Sequence, residues 1–451
     1  MISLKLYNLI DIKDEKYVYD AYTDTLKKID LDFYNILKKQ EESPLFYEKT
    51  KEYQMRNLYE TPDFICYQQI KDDYNYEYKK NNTQKILVLS ITERCNMFCE
   101  YCCYNDQNYI AAPRNNEMTE EIMKKAIDLF YNHSKYSEIV AISFYGGEPL
   151  LRKDFVKKSV EYAYETNLGQ IIQFTITTNG LLLDDMEFVD FMVKNNFIIT
   201  VSYDGPECLH DRYRKTRDGK ATYNVITKNL KKIADKYPDF FKSNFRFNVV
   251  VAPPYNISLL YSFFKDLDAS YLDIRMTDRF REYLKHQYGE TEFQKESTVD
   301  NISLKMQVDY VAQFKRYTFI GKTSTPNVGL GCSFCNPAER KIFVNCSGKI
   351  YICERVDEKD DNYCIGDVWT GIDERKISSL WEKTSKKIKD NCFHCWAIRL
   401  CKSCFVHEDK IEFNGEYCKN MRRKLQDELQ QYLLLNENVE CKLILDNVTL
   451  D

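Results

Sequence analysis

The chain has 451 residues, 44% of them hydrophobic and 29% charged, with a formal net charge of −5. That length suits two or three domains with a large buried core, and the balance excludes a disordered chain. There is no basic excess to suggest nucleic acid or an anionic membrane, no signal-peptide flank or cleavage site around residues 1–10, and no apolar run long enough to span a bilayer, so a cytoplasmic protein without nucleic-acid or membrane partners is expected.

Residues 1–82 are rich in Tyr, Lys and Asp. Segments 4–12 and 16–23 are predicted to pair as a hairpin, and 32–39 and 48–59 as helices. Asn81-Asn82-Thr83 reads as a linker. From residue 85 strands and helices alternate. Strands are predicted at 86–92, 139–145, 171–177, 197–203, 245–251 and 271–276. Helices are predicted at 120–136, with Thr119 as cap, and at 153–165, 185–195, 223–236, 257–267 and 301–317. Six strands alternating with six helices imply an α/β fold with a parallel sheet, either curved into a partial barrel or doubly wound. Reactive loops in such sheets lie beyond the C-terminal ends of the strands. After about residue 326 cysteines dominate, a hairpin is predicted at 341–344 and 349–353, and a last helix at 420–435.

Seventeen cysteines against five histidines favour all-thiolate metal or redox centres in a cytoplasmic chain. Cys95, Cys99 and Cys102 stand in a CxxxCxxC loop just after the first barrel strand. Three thiolates in eight residues suit a cubane with one iron open; zinc normally wants four ligands at other spacings. Gly146-Gly147-Glu148-Pro149-Leu150 follows the second strand. Its glycines would let backbone approach a ligand, and Glu148 suits an ammonium, although alone this is a common turn. Thr178-Asn179-Gly180 ends the third strand, and Ser202-Tyr203-Asp204-Gly205-Pro206 ends the fourth, leading to His210, Asp211 and Arg214. Arg214, with Arg212 as competitor, suits a planar carboxylate; Asp204 is a candidate for turning the chain. By spacing alone, Cys392, Cys395, Cys401 and Cys404 would also fit zinc.

The cysteine loop, with aromatic Tyr101 before its last cysteine, resembles the signature of the radical S-adenosylmethionine (radical SAM) superfamily. The resemblance implies that Cys95, Cys99 and Cys102 hold three irons of a 4Fe–4S cluster and that S-adenosyl-L-methionine chelates the fourth. One-electron reduction would then release a 5′-deoxyadenosyl radical that abstracts a substrate hydrogen. Cys103 has no part in that pattern. It also implies that Gly146, Gly147 and Glu148 bind the methionine amine, that Thr178 and Asn179 lie near the adenosyl group, and that Ser202 and Arg214 bind the carboxylate.

The later cysteines are similar to the SPASM extension, which carries two auxiliary 4Fe–4S clusters and would make three in all. By position, Cys332, Cys335, Cys353 and Cys404 would ligate the first, and Cys392, Cys395, Cys401 and Cys418 the second. The spacing departs once, with two residues rather than three between Cys401 and Cys404. Cys346, Cys364 and Cys441 fit no ligand slot and read as structural. Glu354 stands where sulfatase-maturating relatives carry a basic aspartate, so it is either a catalytic base or a solvated hairpin residue.

Residues 1–82 resemble the winged-helix-like peptide-recognition element of peptide-modifying members. The resemblance therefore implies three parts: 1–82 for peptide recognition, 83–322 as a partial (β/α)6 TIM-like barrel, and 323–451 as a SPASM domain. It points to a maturase of the sactipeptide or ranthipeptide type, installing thioethers in a Cys-rich precursor whose leader binds the N-terminal part, with a flavodoxin or ferredoxin as electron donor. Sulfatase maturation, carbon–carbon crosslinking of a peptide, and a non-enzymatic iron–sulfur carrier or zinc scaffold are the alternatives.

Overall fold

A computed structural model describes residues 6–12, 14–21, 25–39, 43–53, 55, 84–102, 115–251, 263–264, 272–276, 337–338, 340–392, 395–398, 400–401, 403 and 410–436. By contacts the chain divides into two units. One comprises Met1–Tyr76, Ile302–Asn336 and Trp381–Asp451; the other comprises Glu77–Asn301 and Pro337–Leu380.

In the second unit six parallel strands run in sequence order: β4 (Ile86–Thr92), β5 (Ile139–Gly146), β6 (Ile171–Thr178), β7 (Ile198–Ser202), β8 (Phe245–Val251) and β9 (Leu272–Met276). The order never reverses, as it would in a doubly wound sheet, so the sheet is singly wound in the manner of a partial barrel. Helices α3 (Glu120–Asn132), α4 (Lys153–Glu165), α5 (Met186–Lys194), α6 (Glu207–Tyr213), α7 (Tyr223–Lys236) and α8 (Pro238–Asn244) fall between the strands. Thr119 caps α3 by accepting from the Ile122 N–H. The helix stops at Asn132, short of the expected 136, because the His133 N–H turns back to the Leu129 and Phe130 carbonyls. The expected helix at 301–317 lies outside the described residues, as does most of that at 257–267.

The predicted C-terminal hairpin exists as β10 (Lys341–Val344) and β11 (Lys349–Tyr351), but it also extends the barrel sheet. β10 pairs in parallel with β4, Lys341 opposite Ile86, and β12 (Cys364–Asp367) and β13 (Gly371–Ile372) continue beyond β11.

The first unit opens with an antiparallel sheet of β1 (Tyr7–Ile12), β2 (Glu15–Asp20) and β3 (Thr25–Ile29), followed by α1 (Leu31–Lys39) and α2 (Pro44–Glu52). The expected helix at 48–59 begins earlier, because Ser43 caps the chain at the Phe46 N–H and Pro44 occupies its first turn. One face of the sheet buries Val18 and Ile29 with Phe33, Leu37 and Phe46 of the two helices. The other face buries Ile10, Tyr17 and Tyr19 with Ile388, Ile398, Leu400, Leu425 and Leu429. These last come from the end of α9 (Glu374–Asn391), the cysteine-rich segment after it, and α10 (Glu416–Asn436).

Candidate active site

The cysteine loop leaves β4 and is held on two sides by backbone. On one side Gly147 N–H donates to the Thr92 carbonyl (2.8 Å) and Glu148 N–H to the Arg94 carbonyl (2.8 Å). A Cβ on Gly147 would fall 2.2 Å from the Arg94 oxygen, and one on Gly146, at φ +122°, 2.2 Å from the Thr92 oxygen. The two glycines are therefore required by the close approach of the cysteine loop itself, a reason the sequence does not display. On the other side Phe98 N–H donates to the Lys215 carbonyl and Glu100 N–H to the Tyr213 carbonyl. Cys99 is buried and Cys95 and Cys102 are half-buried. Burial pushes the thiols of Cys95 and Cys99 up to about 11. Among the described residues no group of three or more Cys, His, Asp or Glu is arranged to hold a single ion. A cubane asks for something different, since each thiolate meets its own iron, and the donor set fits one.

Glu148 is fully buried at the end of β5. Its Oε1 accepts from the Leu150 N–H (3.0 Å) and the Thr178 hydroxyl (2.8 Å), and its Oε2 from the Asn179 N–H (2.7 Å). Burial raises its pKa to about 6, against the pull of these donors. Asn179 Nδ2 donates to Asn96 Oδ1 (2.7 Å) and lies 3.8 Å from Cys95 Sγ. The motifs after the first three barrel strands thus meet at one place.

The fourth strand adds Asp204. Its Oδ2 accepts from Arg214 Nε (2.9 Å) and from the Tyr101 hydroxyl, and its Oδ1 from the Val250 N–H (2.9 Å). Arg214 Nη1 lies 3.6 Å from Cys99 Sγ, and the guanidinium sits over the Tyr101 ring, 5.5 Å from its centroid. Asp204 does more than turn the chain: it joins the cysteine loop, β8 and Arg214. Ser202, the last residue of β7, is half-buried and pairs with Asn248. Arg212 faces the Tyr213 ring instead. Sequence reasoning assigned no role to His210, Thr222 or the Tyr101 hydroxyl, whose partners are distant in the chain and follow no spacing rule.

Cys332, Cys335 and Cys404 lie outside the described residues. Cys353 is half-buried, its sulfur accepting from the Arg355 N–H (3.3 Å). Glu354 is not a solvated hairpin residue: it is largely buried and its Oε2 sits 2.7 Å from Lys341 Nζ. In the other unit Cys392, Cys395 and Cys401 are set by tight turns, Cys395 N–H donating to the Cys392 carbonyl and Cys401 N–H to the Ala397 carbonyl, while Cys418 is on α10. Burial, reinforced by Cys395, Cys401 and Cys418, pushes the Cys392 thiol up, so the four sulfurs feel one another. Cys346 donates to the Ser90 carbonyl (3.0 Å) and Cys364 lies against the Gly366 carbonyl, outside either set.

Residues 89–261 match the family model of the radical SAM superfamily. A serine-type anaerobic sulfatase-maturating enzyme of Bacteroides thetaiotaomicron is 31% identical over 193 residues, covering 42% of this chain and 44% of that enzyme. A cysteine-type anaerobic sulfatase-maturating enzyme of Clostridium novyi is 27% identical over 198 residues, covering 42% and 49%. The chain thus spans less than half the length of either relative. The solved structure of anSMEcpe with bound AdoMet superposes with a TM-score of 0.59 at 20% identity, over 81% of this chain and all of that one, a likeness of fold. With the barrel strands and the strand-end motifs lying in or beside the matched segment, the chain carries a radical SAM superfamily domain.

Proposed function

We propose that this enzyme installs thioether crosslinks, cysteine sulfur to carbon, in a ribosomally synthesised Cys-rich precursor peptide. The observation that carries this is the shared core of the first unit, where Tyr17 and Tyr19 of the N-terminal sheet pack with Ile398 and Leu400 of the cysteine-rich segment. A small antiparallel sheet suits an extended leader, which binds by adding a strand. Its shared core is packed by Cys392, Cys395 and Cys401, which supports a peptide substrate handled beside an auxiliary cluster.

Cys95, Cys99 and Cys102 would hold the radical cluster. Cys392, Cys395, Cys401 and Cys418 would hold one auxiliary cluster, and Cys353, with Cys332, Cys335 and Cys404, another. When bound, the first cluster and S-adenosyl-L-methionine supply one-electron cleavage and hydrogen abstraction. The chain's own residues bind and orient. Glu148 offers about four lone-pair sites, three of which are taken, leaving one for the methionine ammonium. Arg214 has N–H donors beyond those facing Asp204 and Cys99 for a carboxylate, with Ser202 beside it. Glu354, ion-paired with Lys341, is a poor base at neutral pH while that pair holds.

Sulfatase maturation is the second reading, favoured by what the relatives are named for. The test is anaerobic incubation of the reconstituted enzyme with a small Cys-rich peptide encoded beside its gene, and separately with a sulfatase-derived peptide. Loss of two hydrogens per crosslink from the first supports thioether formation. An aldehyde in the second, with the first unmodified, supports the alternative. Absence of 5′-deoxyadenosine in both would sink both readings.

A further inference from the structure

Beside the cysteine loop four hydrogen bonds close into a ring. The Asp204 backbone N–H donates to His210 Nδ1 (3.2 Å). That makes Nδ1 an acceptor and puts the imidazole proton on Nε2, which donates to Thr222 Oγ1 (3.1 Å). The Thr222 hydroxyl donates to the Arg214 carbonyl (3.0 Å), and Arg214 Nε returns to Asp204 Oδ2 (2.9 Å). Every member is buried, His210 and Thr222 completely. Burial holds His210 neutral, its pKa lowered to about 3, so the direction of the ring is fixed. Asp211 Oδ1 adds a clamp, accepting from the Thr222 and Tyr223 N–H groups.

A ring that only braced α6 against β7 would have no need to end in a guanidinium. This one leaves Arg214 with Nη1 3.6 Å from Cys99 Sγ, and Asp204 anchored from the far side by Val250. An N–H donor at a cluster-bound sulfur, on a cation, stabilises the more negative, reduced state and so raises the reduction potential. We propose that Asp204, His210 and Thr222 are positioning residues that hold Arg214 against Cys99, and that Arg214 thereby sets the potential of the cluster on Cys95, Cys99 and Cys102. This rests on the cluster assignment made above. The step it governs is the gain of one electron, here from dithionite, taking the cluster from its 2+ to its 1+ state.

The test is an EPR-monitored potential titration of the full-length, anaerobically reconstituted protein, following the signal that disappears in Cys99→Ala. With Arg214→Gln the iron content should stay at the wild-type value while the reduced-to-oxidised ratio at a fixed potential falls about tenfold, a shift of about 59 mV for one electron. Arg214→Lys, which keeps the charge, should fall between the two. Thr222→Val, close in shape but lacking the hydroxyl that makes two of the ring's bonds, should shift the same way by a smaller amount. It decides the matter if the Arg214 variants do not fold. Wild-type potentials in Arg214→Gln and Thr222→Val at full iron content would overturn the proposal while leaving the cluster assignment standing. Iron content and EPR signals unchanged in Cys99→Ala would instead remove the cluster assignment, and the proposal with it.

Discussion

The Thr178 hydroxyl donates to Oε1 of Glu148 across 2.8 Å, tying the end of β6 to the loop after β5. The acceptor is a carboxyl that burial keeps well above its ordinary range, at about 6 rather than 4.5. The folded chain therefore holds this proton more tightly than the unfolded one. The stabilisation is complete below about pH 4.5 and is lost as the pH rises through about 6, roughly 2 kcal/mol at 1.36 kcal/mol per unit. Glu148→Gln should remove that dependence. Urea unfolding of the metal-free protein at pH 4.5 and 7 checks it: the difference between wild type and variant should move by about that amount.

Gly147→Ala should break the clamp on the cysteine loop. Its Cβ would meet the carbonyl oxygens of Arg94 and Glu93 at 2.2 and 2.8 Å, backbone atoms that cannot swing aside. A cost of about 2 kcal/mol or more is expected, with loss of bound iron. Thermal unfolding and iron per chain measure the two effects.

Asp204→Asn should cost about 3 kcal/mol, because it leaves the buried Arg214 guanidinium without its counter-charge. Tyr101→Phe removes one hydrogen bond to the same carboxylate and should cost about 1 kcal/mol. Chemical denaturation of the two variants side by side tests the ranking. Equal costs would show that the ion pair carries no special weight.

Lys341→Met should change the acid limb of the stability curve. Burial raises the Glu354 pKa, but Lys341, helped by a backbone N–H and Arg355, more than offsets it and the net shift is downward. Stability from this pair is thus present above the ordinary carboxyl range and lost as the pH falls through the lowered value. Without the ammonium, burial is opposed only by the backbone N–H and Arg355, so the variant should be less stable at pH 7 and should lose less on acidification. Unfolding midpoints from pH 3 to 7 are the measurement.

The barrel strands were legible because strands covered on both faces read as unbroken apolar runs, as in 86–92. β3 was not: of Thr-Leu-Lys-Lys-Ile only Ile29 is fully buried, and its lysines make the segment look like a loop. α9 was missed for a related reason. Ile377, Leu380, Trp381 and Ile388 do recur at helical spacing, but charged residues crowd between them. The cysteines and strand-end motifs declared themselves by spacing. What packs against them did not: nothing local links His210 to Thr222, or Gly147 to the carbonyl of Arg94.

β10 lies against β4, and Gln84 Nε2 donates to the Ala338 carbonyl, 254 positions later in the chain. The strand that launches the cysteine loop therefore waits on the ribosome for its neighbour. At about 5–20 residues per second, that delay is on the order of ten to fifty seconds. During it the edge of β4 lies open to wrong partners, and the scaffold meant to receive iron is unfinished. The loop's own anchors at Gly147, Glu148, Tyr213 and Lys215 emerge well before β10, so metal loading on a half-made chain would meet an anchored loop carried on a strand with one edge still bare.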